Sequence, residues 1–210
     1  MPVRNVVNRS GRGFRGYFPS RKMKKKMIGW ESILERYAIY LFEFSPGVVS
    51  YCAQPELVYY PDGTELRKYY PDFKITTTGG ISVRIEVKPS SKLLQKKHAE
   101  KYRAIATHYQ LQEWNYQILT EQEIQREPLF SNLKKLRRHH RPTKELPSLL
   151  SQISIALKHG PQPLGVLKMK QSDIWRLLAL GYLRCDLAAP ITASTLISLP
   201  GGHNDETLYF

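Results

Sequence analysis

An amphipathic helix, a run of short strands, a second helix and a further strand follow one another between residues 31 and 120, and this alternation specifies an α/β domain. Two further observations complete the organisation. A basic, glycine-interrupted stretch precedes the domain, and a second basic cluster, followed by a shift to apolar and small residues, closes it near Arg141-Pro142. The expected division is a basic arm over residues 1–28, an α/β catalytic domain over 29–142 and a small C-terminal interaction domain over 143–210.

The arm is defined by charge. Residues 1–30 contain no Asp or Glu, while Arg4, Arg9, Arg12, Arg15, Arg21, Lys22, Lys24, Lys25 and Lys26 are all cationic. Gly11, Gly13, Gly16 and Pro19 interrupt it, so it is expected to order only against a partner. From Glu31 onward, Ile33, Leu34, Tyr37, Ala38, Leu41 and Phe44 recur at steps of three and four, which is one apolar helix stripe; Pro46-Gly47 stops it. Strand character follows over 48–51, 57–60, 69–75 and 82–88, with turn signals at Pro61-Asp62-Gly63 and Gly79-Gly80. Leu93, Leu94, Ala99, Tyr102, Ala106 and Tyr109 then mark a long helix with a lysine-rich outer face, and 116–120 reads as a strand.

Beyond the second basic cluster (Lys134 to Lys144), Ile153 and Leu157 mark a helix. Ser172 is the expected N-cap of the next one, with Asp173 in its first turn and Gly181 at its end. Two short strands over 182–187 and 195–199 would complete a helix, helix, hairpin pattern, that of a winged-helix module. Trp175 and Tyr182 are read there as core residues.

Charge narrows the function. Thirty-two Lys and Arg against eighteen Asp and Glu leave +14, with a pI near 9.8, which disfavours an ordinary metabolic enzyme and favours a polyanionic partner, most simply DNA. Cys52 and Cys185 lie far apart without CxxC or histidine spacing, which supports neither a disulfide framework nor a zinc site and fits a reducing cytosol. No apolar run approaches the roughly 18–20 residues of a membrane span.

The chemistry-bearing pattern is Tyr70-Pro71-Asp72-Phe73 at the head of one strand and Ile85-Glu86-Val87-Lys88 at the end of the next. Alternation puts Glu86 and Lys88 on one face with Val87 toward the core, and hairpin pairing brings Asp72 beside them. Two carboxylates and a lysine suit metal-dependent phosphodiester hydrolysis. Oxygen ligands hold Mg²⁺ or Mn²⁺, the ion polarises the phosphate and activates water, and the lysine orients that water or offsets charge on the phosphorane. The expected metal donors are Asp72, Glu86 and the Val87 carbonyl, with Lys88 as the catalytic cation. A third carboxylate is expected from the first helix, where geometry favours Glu31 or Glu35, flanking the apolar stripe, over Glu43, placed opposite it and toward solvent. Arg12, Arg15, Arg21, Lys24, Lys25 and Lys26 are the candidate phosphate contacts.

Trp30-Glu31-Ser32-Ile33-Leu34-Glu35, Leu41-Phe42-Glu43-Phe44-Ser45-Pro46-Gly47-Val48, Gln54-Pro55-Glu56, Tyr70-Pro71-Asp72-Phe73 and Glu86-Val87-Lys88, in this order, resemble the TnsA endonucleases of Tn-seven-like transposons. The resemblance covers about residues 29–132 and implies a restriction-endonuclease-like (PD-(D/E)xK) fold that cuts the 5′, non-transferred strand at transposon ends. It implies a TnsB-type DDE transposase and a TnsC-type ATPase regulator as partners, a C-terminal winged-helix-like domain that engages the regulator, and a bacterial, nucleoid-associated setting. The short C-terminal region is similar to that of the CRISPR-associated branch. By position the helix glutamate becomes Glu35, the metal-binding aspartate Asp72 and the lysine Lys88, while Glu86 stands where some members carry glutamine. Two other readings stay open beside this one: a stand-alone restriction or repair nuclease, and a non-catalytic DNA-binding adaptor of transposition.

Overall fold

The structure, a computed structural model, describes residues 14–24, 26–201 and 203–210. Contacts divide it into two compact units: residues up to 43 with 48–125 and Phe210, and residues 44–47 with 126–209. The second unit thus begins before the compositional shift at Arg141-Pro142.

In the first unit, β1 (Gly16–Pro19) and β2 (Met27–Trp30) pair as an antiparallel hairpin. The expectation that the arm orders only against a partner is therefore corrected over Gly16–Pro19 and Met27–Trp30. Phe18, Ile28 and Trp30 are buried, and that apolar burial stabilises the hairpin in spite of its charge. A side chain at Gly16 would place its Cβ 2.6 Å from the Trp30 ring, so the hairpin's closing contact requires glycine. Arg12 and Lys25 lie outside the described residues.

Helix α1 (Ile33–Phe44) starts with reciprocal capping: Ser32 Oγ accepts from Glu35 N (3.1 Å), and Glu35 Oε2 accepts from Glu31 N (2.7 Å). A single buried stripe does not describe its second half, since every residue from Ala38 to Phe44 is buried. Glu43 is among them at 5% exposure. It accepts from Ser20 Oγ (2.7 Å), Arg21 N (2.8 Å) and Tyr51 Oη (2.6 Å), so it fastens the hairpin to the core instead of facing solvent.

The main sheet contains β3 (Val48–Ala53), β6 (Phe73–Thr77), β7 (Ser82–Val87) and β8 (Asn115–Leu119) in the order β3-β6-β7-β8. Its first two pairings are antiparallel and its last is parallel. Between β3 and β6, β4 (Val58–Asp62) and β5 (Glu65–Tyr69) form a separate hairpin, with Gly63 at φ +64° in its turn. The expected strand over 69–75 is thus two strands. Pro71, which cannot donate to a ladder, stands in the break between β5 and β6.

After β7 the chain forms α2 (Ser90–Leu93) and α3 (Lys96–Leu111), two helices where one was expected, then enters β8 alongside β7. Phe42 of α1 packs edge-on against Phe73 and at a tilt against Tyr51 on one sheet face. On the other, Val58, Tyr60 and Tyr69 pack with Tyr102, Ile105 and Tyr109 of α3. The turn α4 (Glu121–Ile124) ends this unit with a capping box on Thr120.

The second unit holds α5 (Leu129–His139), α6 (Leu146–Ala156) and α7 (Gln171–Ala179), with a two-residue pairing of β9 (Gln162–Pro163) and β10 (Leu196–Ile197). Lys170 rather than Ser172 occupies the N-cap of α7, and 182–187 joins 195–199 only through an Arg184–Ser198 bridge. Trp175 is buried, with Lys135 Nζ 5.4 Å from its ring centroid, while Tyr182 is half-buried. The basic residues 134–139 extend α5, whose Leu129, Leu133 and Leu136 are buried. Among the described residues, no helix is long and apolar enough to cross a membrane.

Two stability predictions follow from buried polar groups. Asn132 Nδ2 donates to Leu187 O (2.9 Å) and Ala189 O (3.0 Å), so Asn132→Ala is expected to cost about 2 kcal/mol in denaturant titration by stranding buried carbonyls. Tyr109 Oη is buried without a hydrogen-bond partner, so Tyr109→Phe is expected to stabilise by about 1 kcal/mol, raising Tm by roughly 2–4 °C in calorimetry.

Candidate active site

The break between β5 and β6 puts Asp72 where three strands end. Its carbonyl accepts from Gln54 N (2.9 Å), just beyond β3, and its Oδ2 accepts from Val87 N (2.8 Å), the last residue of β7. The Phe73–Ile85 register then sets Asp72 beside Glu86. Gln54 adopts φ +43° to reach this position, and its Nε2 donates to Glu31 Oε2 (3.2 Å), linking the strand ends to the start of α1.

Glu86, only 3% exposed, has both carboxylate oxygens engaged. Oε1 accepts from Tyr102 Oη (2.6 Å) and lies 3.0 Å from Lys88 Nζ, while Oε2 accepts from Tyr69 Oη (2.6 Å). With its one proton on Glu86, Tyr69 Oη lies 3.3 Å from Tyr116 Oη, and the Tyr116 ring stacks on Tyr109 at 4.9 Å. Glu86 and Lys88 face α3, and Lys88 N holds β8 through Leu119 O (3.0 Å).

Electrostatics tie these groups together. Burial pushes the Asp72 carboxyl well above the ordinary range, the charges of Glu86 and Glu35 push it further, and Lys88 and the Val87 N–H offset part of the rise. The Glu35 carboxyl is raised by burial and by the charge of Glu31, against hydrogen bonds from Glu31 N and Ser32 and the charge of Lys88. For Lys88 burial acts downward, but Glu86 and Asp72 outweigh it, so the ammonium titrates above its ordinary value and is charged at neutral pH. Tyr69 and Tyr102 are raised by burial and by Glu86, which keeps their hydroxyls as donors.

Asp72, Glu86 and Lys88 therefore come together with Glu35 behind them, as the strand alternation and the Pro-Asp spacing predict. Glu31 instead bonds Gln54, with Arg15 Nη1 3.7 Å from its Oε1. Of the basic candidates, Lys24 and Lys26 are exposed, Arg15 is half-buried near Glu31, and the Arg21 N–H bonds Glu43. The tyrosines around Glu86 were missed as site residues by sequence reasoning, which placed Tyr102 on an apolar helix face and Tyr69 in a strand; their only signal is an unusual density of Tyr in 51–116.

The donor set suits a divalent cation in part. Three carboxylates surround one lysine, and Asp72 Oδ1 receives no hydrogen bond among the described residues. No three Asp, Glu, His or Cys side chains among those residues converge closely enough to hold an ion by themselves, so water or substrate phosphate must complete its shell, as magnesium commonly requires.

A family model described as TnsA-like endonuclease N terminal matches residues 45–121, the segment that carries Asp72, Glu86 and Lys88. That segment is similar to the N-terminal domain of TnsA-like endonucleases. Glu35 and the second unit from Arg126 onward lie outside the match. No curated protein matches the chain.

Burial and like charge make an ionised Asp72 unfavourable in the folded state. Because its folded pKa is raised, the native state binds the proton more tightly than the unfolded chain. Stability is then lost as pH rises from the unfolded carboxylate range through the folded pKa. In EDTA, Asp72→Asn, whose amide oxygen still accepts from Val87 N, is expected to raise Tm at pH 7–8, with the gain vanishing as pH falls below 4; calorimetry across pH reads both.

Proposed function

We propose that this chain is a divalent-metal-dependent endodeoxyribonuclease of the restriction-endonuclease-like, PD-(D/E)xK type. In this reading it hydrolyses the 5′, non-transferred strand at transposon ends as one subunit of a cut-and-paste transposase. The observation that carries it is the convergence of Asp72, Glu86 and Lys88 at adjoining strand ends, with the Glu35 carboxylate electrostatically linked to Asp72. The TnsA-like segment around those residues supports it.

In this reading Asp72 Oδ1 and the Val87 carbonyl would hold Mg²⁺, or Mn²⁺ as its substitute, and Glu35 or Glu86 would join them only by releasing one of its present partners. When bound, the ion supplies charge neutralisation at the scissile phosphate and a more acidic attacking water. The chain's own residues do the rest. The strand ends hold Asp72 rigidly through its carbonyl and Oδ2. Lys88, a permanent ammonium fixed on Glu86, directs its remaining N–H bonds at the water or at a phosphate oxygen and offsets charge as the phosphorane forms. The products carry a 5′-phosphate and a 3′-hydroxyl.

The same reading assigns a TnsB-type transposase to the 3′ strand and to end recognition, and a TnsC-type ATPase as regulator. It gives a winged-helix-like role in partner binding to the second unit, a bacterial, nucleoid-associated location, and a place in the CRISPR-associated branch. The +14 charge and exposed cations such as Lys24 and Lys26 favour phosphate contacts that are salt-sensitive and largely independent of sequence.

Strand-specific mapping of breaks at transposon ends tests the proposal, using the full chain with its neighbouring transposase and Mg²⁺. Asp72→Ala and Lys88→Ala are each expected to lower 5′ breaks at least 100-fold with 3′ breaks retained, as removal of a transition-state group costs about 10²–10³. Persistence of both breaks in both variants would sink the nuclease reading and leave the DNA-binding adaptor; cleavage of plain duplex without the transposase would favour a stand-alone restriction or repair nuclease.

A further inference from the structure

We infer that Tyr69 and Tyr102 are positioning residues for the cleavage step: together they hold Glu86, and through Glu86 they aim the Lys88 ammonium. The inference deepens the nuclease reading and rests on it for its consequence in catalysis.

Lys88 is the last side chain of its strand face, on a long flexible stem, and its side-chain partners among the described residues are one carboxylate oxygen, Glu86 Oε1 at 3.0 Å, and the Tyr102 ring at 5.8 Å. A lysine is a point charge without directional preference of its own, so its position is set by the anion it pairs with. Glu86 has three rotatable bonds, and a single ion pair would leave it free to swing with the lysine. Two hydroxyls remove that freedom. Tyr69 comes from β5 and binds Oε2, Tyr102 comes from α3 and binds Oε1, both at 2.6 Å, so each oxygen of the carboxylate is pinned from a different element. The tyrosines are themselves held in a packed ring cluster. Tyr69 meets Tyr60, Tyr109 and Tyr116 edge-on at 6.3–6.4 Å, and Lys101 Nζ lies 5.8 Å from the Tyr69 ring and 5.2 Å from that of Tyr102. The plane of the Glu86 carboxylate is thus set by the docking of α3 and the β4–β5 hairpin on the sheet, and the hydrogen-bonding oxygen presented to Lys88 is always Oε1.

Tyr69→Phe and Tyr102→Phe keep the rings and remove one hydroxyl each, so each variant retains one donor to Glu86. Tyr109→Phe, in the same cluster but without contact to Glu86, is the packing control. In the full chain with transposase and Mg²⁺, each of the first two is expected to lower kcat for 5′-strand cleavage about 10- to 100-fold, the loss typical of a misplaced catalytic group, with KM for the DNA end changed less than about twofold. Tyr109→Phe is expected to cleave like wild type. A second measurement needs no cleavage at all: in ¹⁵N-lysine-labelled protein without metal, the Lys88 ammonium signal, assigned by its loss in Lys88→Arg, is expected to be ordered in wild type and Tyr109→Phe and mobile in Tyr69→Phe and Tyr102→Phe. An unchanged ammonium signal in both variants, or equal losses of kcat in all three, would overturn the inference. Absence of cleavage by wild type with the ammonium loosened as expected would defeat the nuclease reading while leaving the Tyr–Glu–Lys linkage intact.

Discussion

Asp72 is held by the backbone on both sides, and the arrangement of the first unit depends on that constraint. Its carbonyl closes the end of β3 through Gln54 N, and its carboxylate closes the end of β7 through Val87 N. A continuous strand over 69–75 could not make both bonds, because alternation would turn Asp72 toward one face and its backbone groups toward the ladder. Pro71 interrupts the strand, sends β4 and β5 off as a separate hairpin, and leaves Asp72 free to turn its carboxylate across the strand ends. The site is in this sense a consequence of a topological break.

That placement carries an electrostatic cost. Asp72, Glu86 and Glu35 crowd one recess with Lys88 as the counter-charge, and burial raises the proton affinity of both Asp72 and Glu35. The remaining imbalance is met locally: tyrosine hydroxyls and Lys88 occupy Glu86, while capping bonds from Glu31 and Ser32 occupy Glu35. Only Asp72 keeps an oxygen without a donor among the described residues, which makes it the natural centre for a cation. A fold assembled for stability alone would not leave like charges so close. Crowding of this kind is common at functional sites, and Asp72, Glu86 and Lys88 lie within the segment that resembles TnsA-like endonucleases.

The contrast between Glu35 and Glu43 shows how far helical spacing can be read. Both are glutamates of α1, and the stripe argument set Glu31 or Glu35 toward the sheet and Glu43 in solvent. The first placement matches the structure for Glu35, whose charge reaches Asp72. The second does not, because α1 is buried all round from Ala38, and Glu43 is matched there by Ser20, Arg21 and Tyr51, residues 8 to 23 positions away. No period in the sequence carries information about partners so distant. The ordered β1–β2 hairpin was hidden for a similar reason: nine cations dominate the composition of residues 1–30, whereas three buried apolar side chains decide the hairpin's structure.

The sequence by itself determined the α/β alternation, the strand character of β3, β4, β7 and β8, the turn glycines and the joint occurrence of Pro-Asp with Glu-x-Lys, because these depend on neighbours within a few residues. It also carried the identity of Asp72, Glu86 and Lys88 as one group, since a short antiparallel connection leaves β6 and β7 few registers. Tertiary structure alone decided how those groups are held: the end of β3 on Asp72, the two tyrosines on Glu86, and the parallel placement of β8 that anchors Lys88 through Leu119. Each of those contacts joins elements separated by a loop or a helix, and loop closure sets their geometry only when the whole core packs.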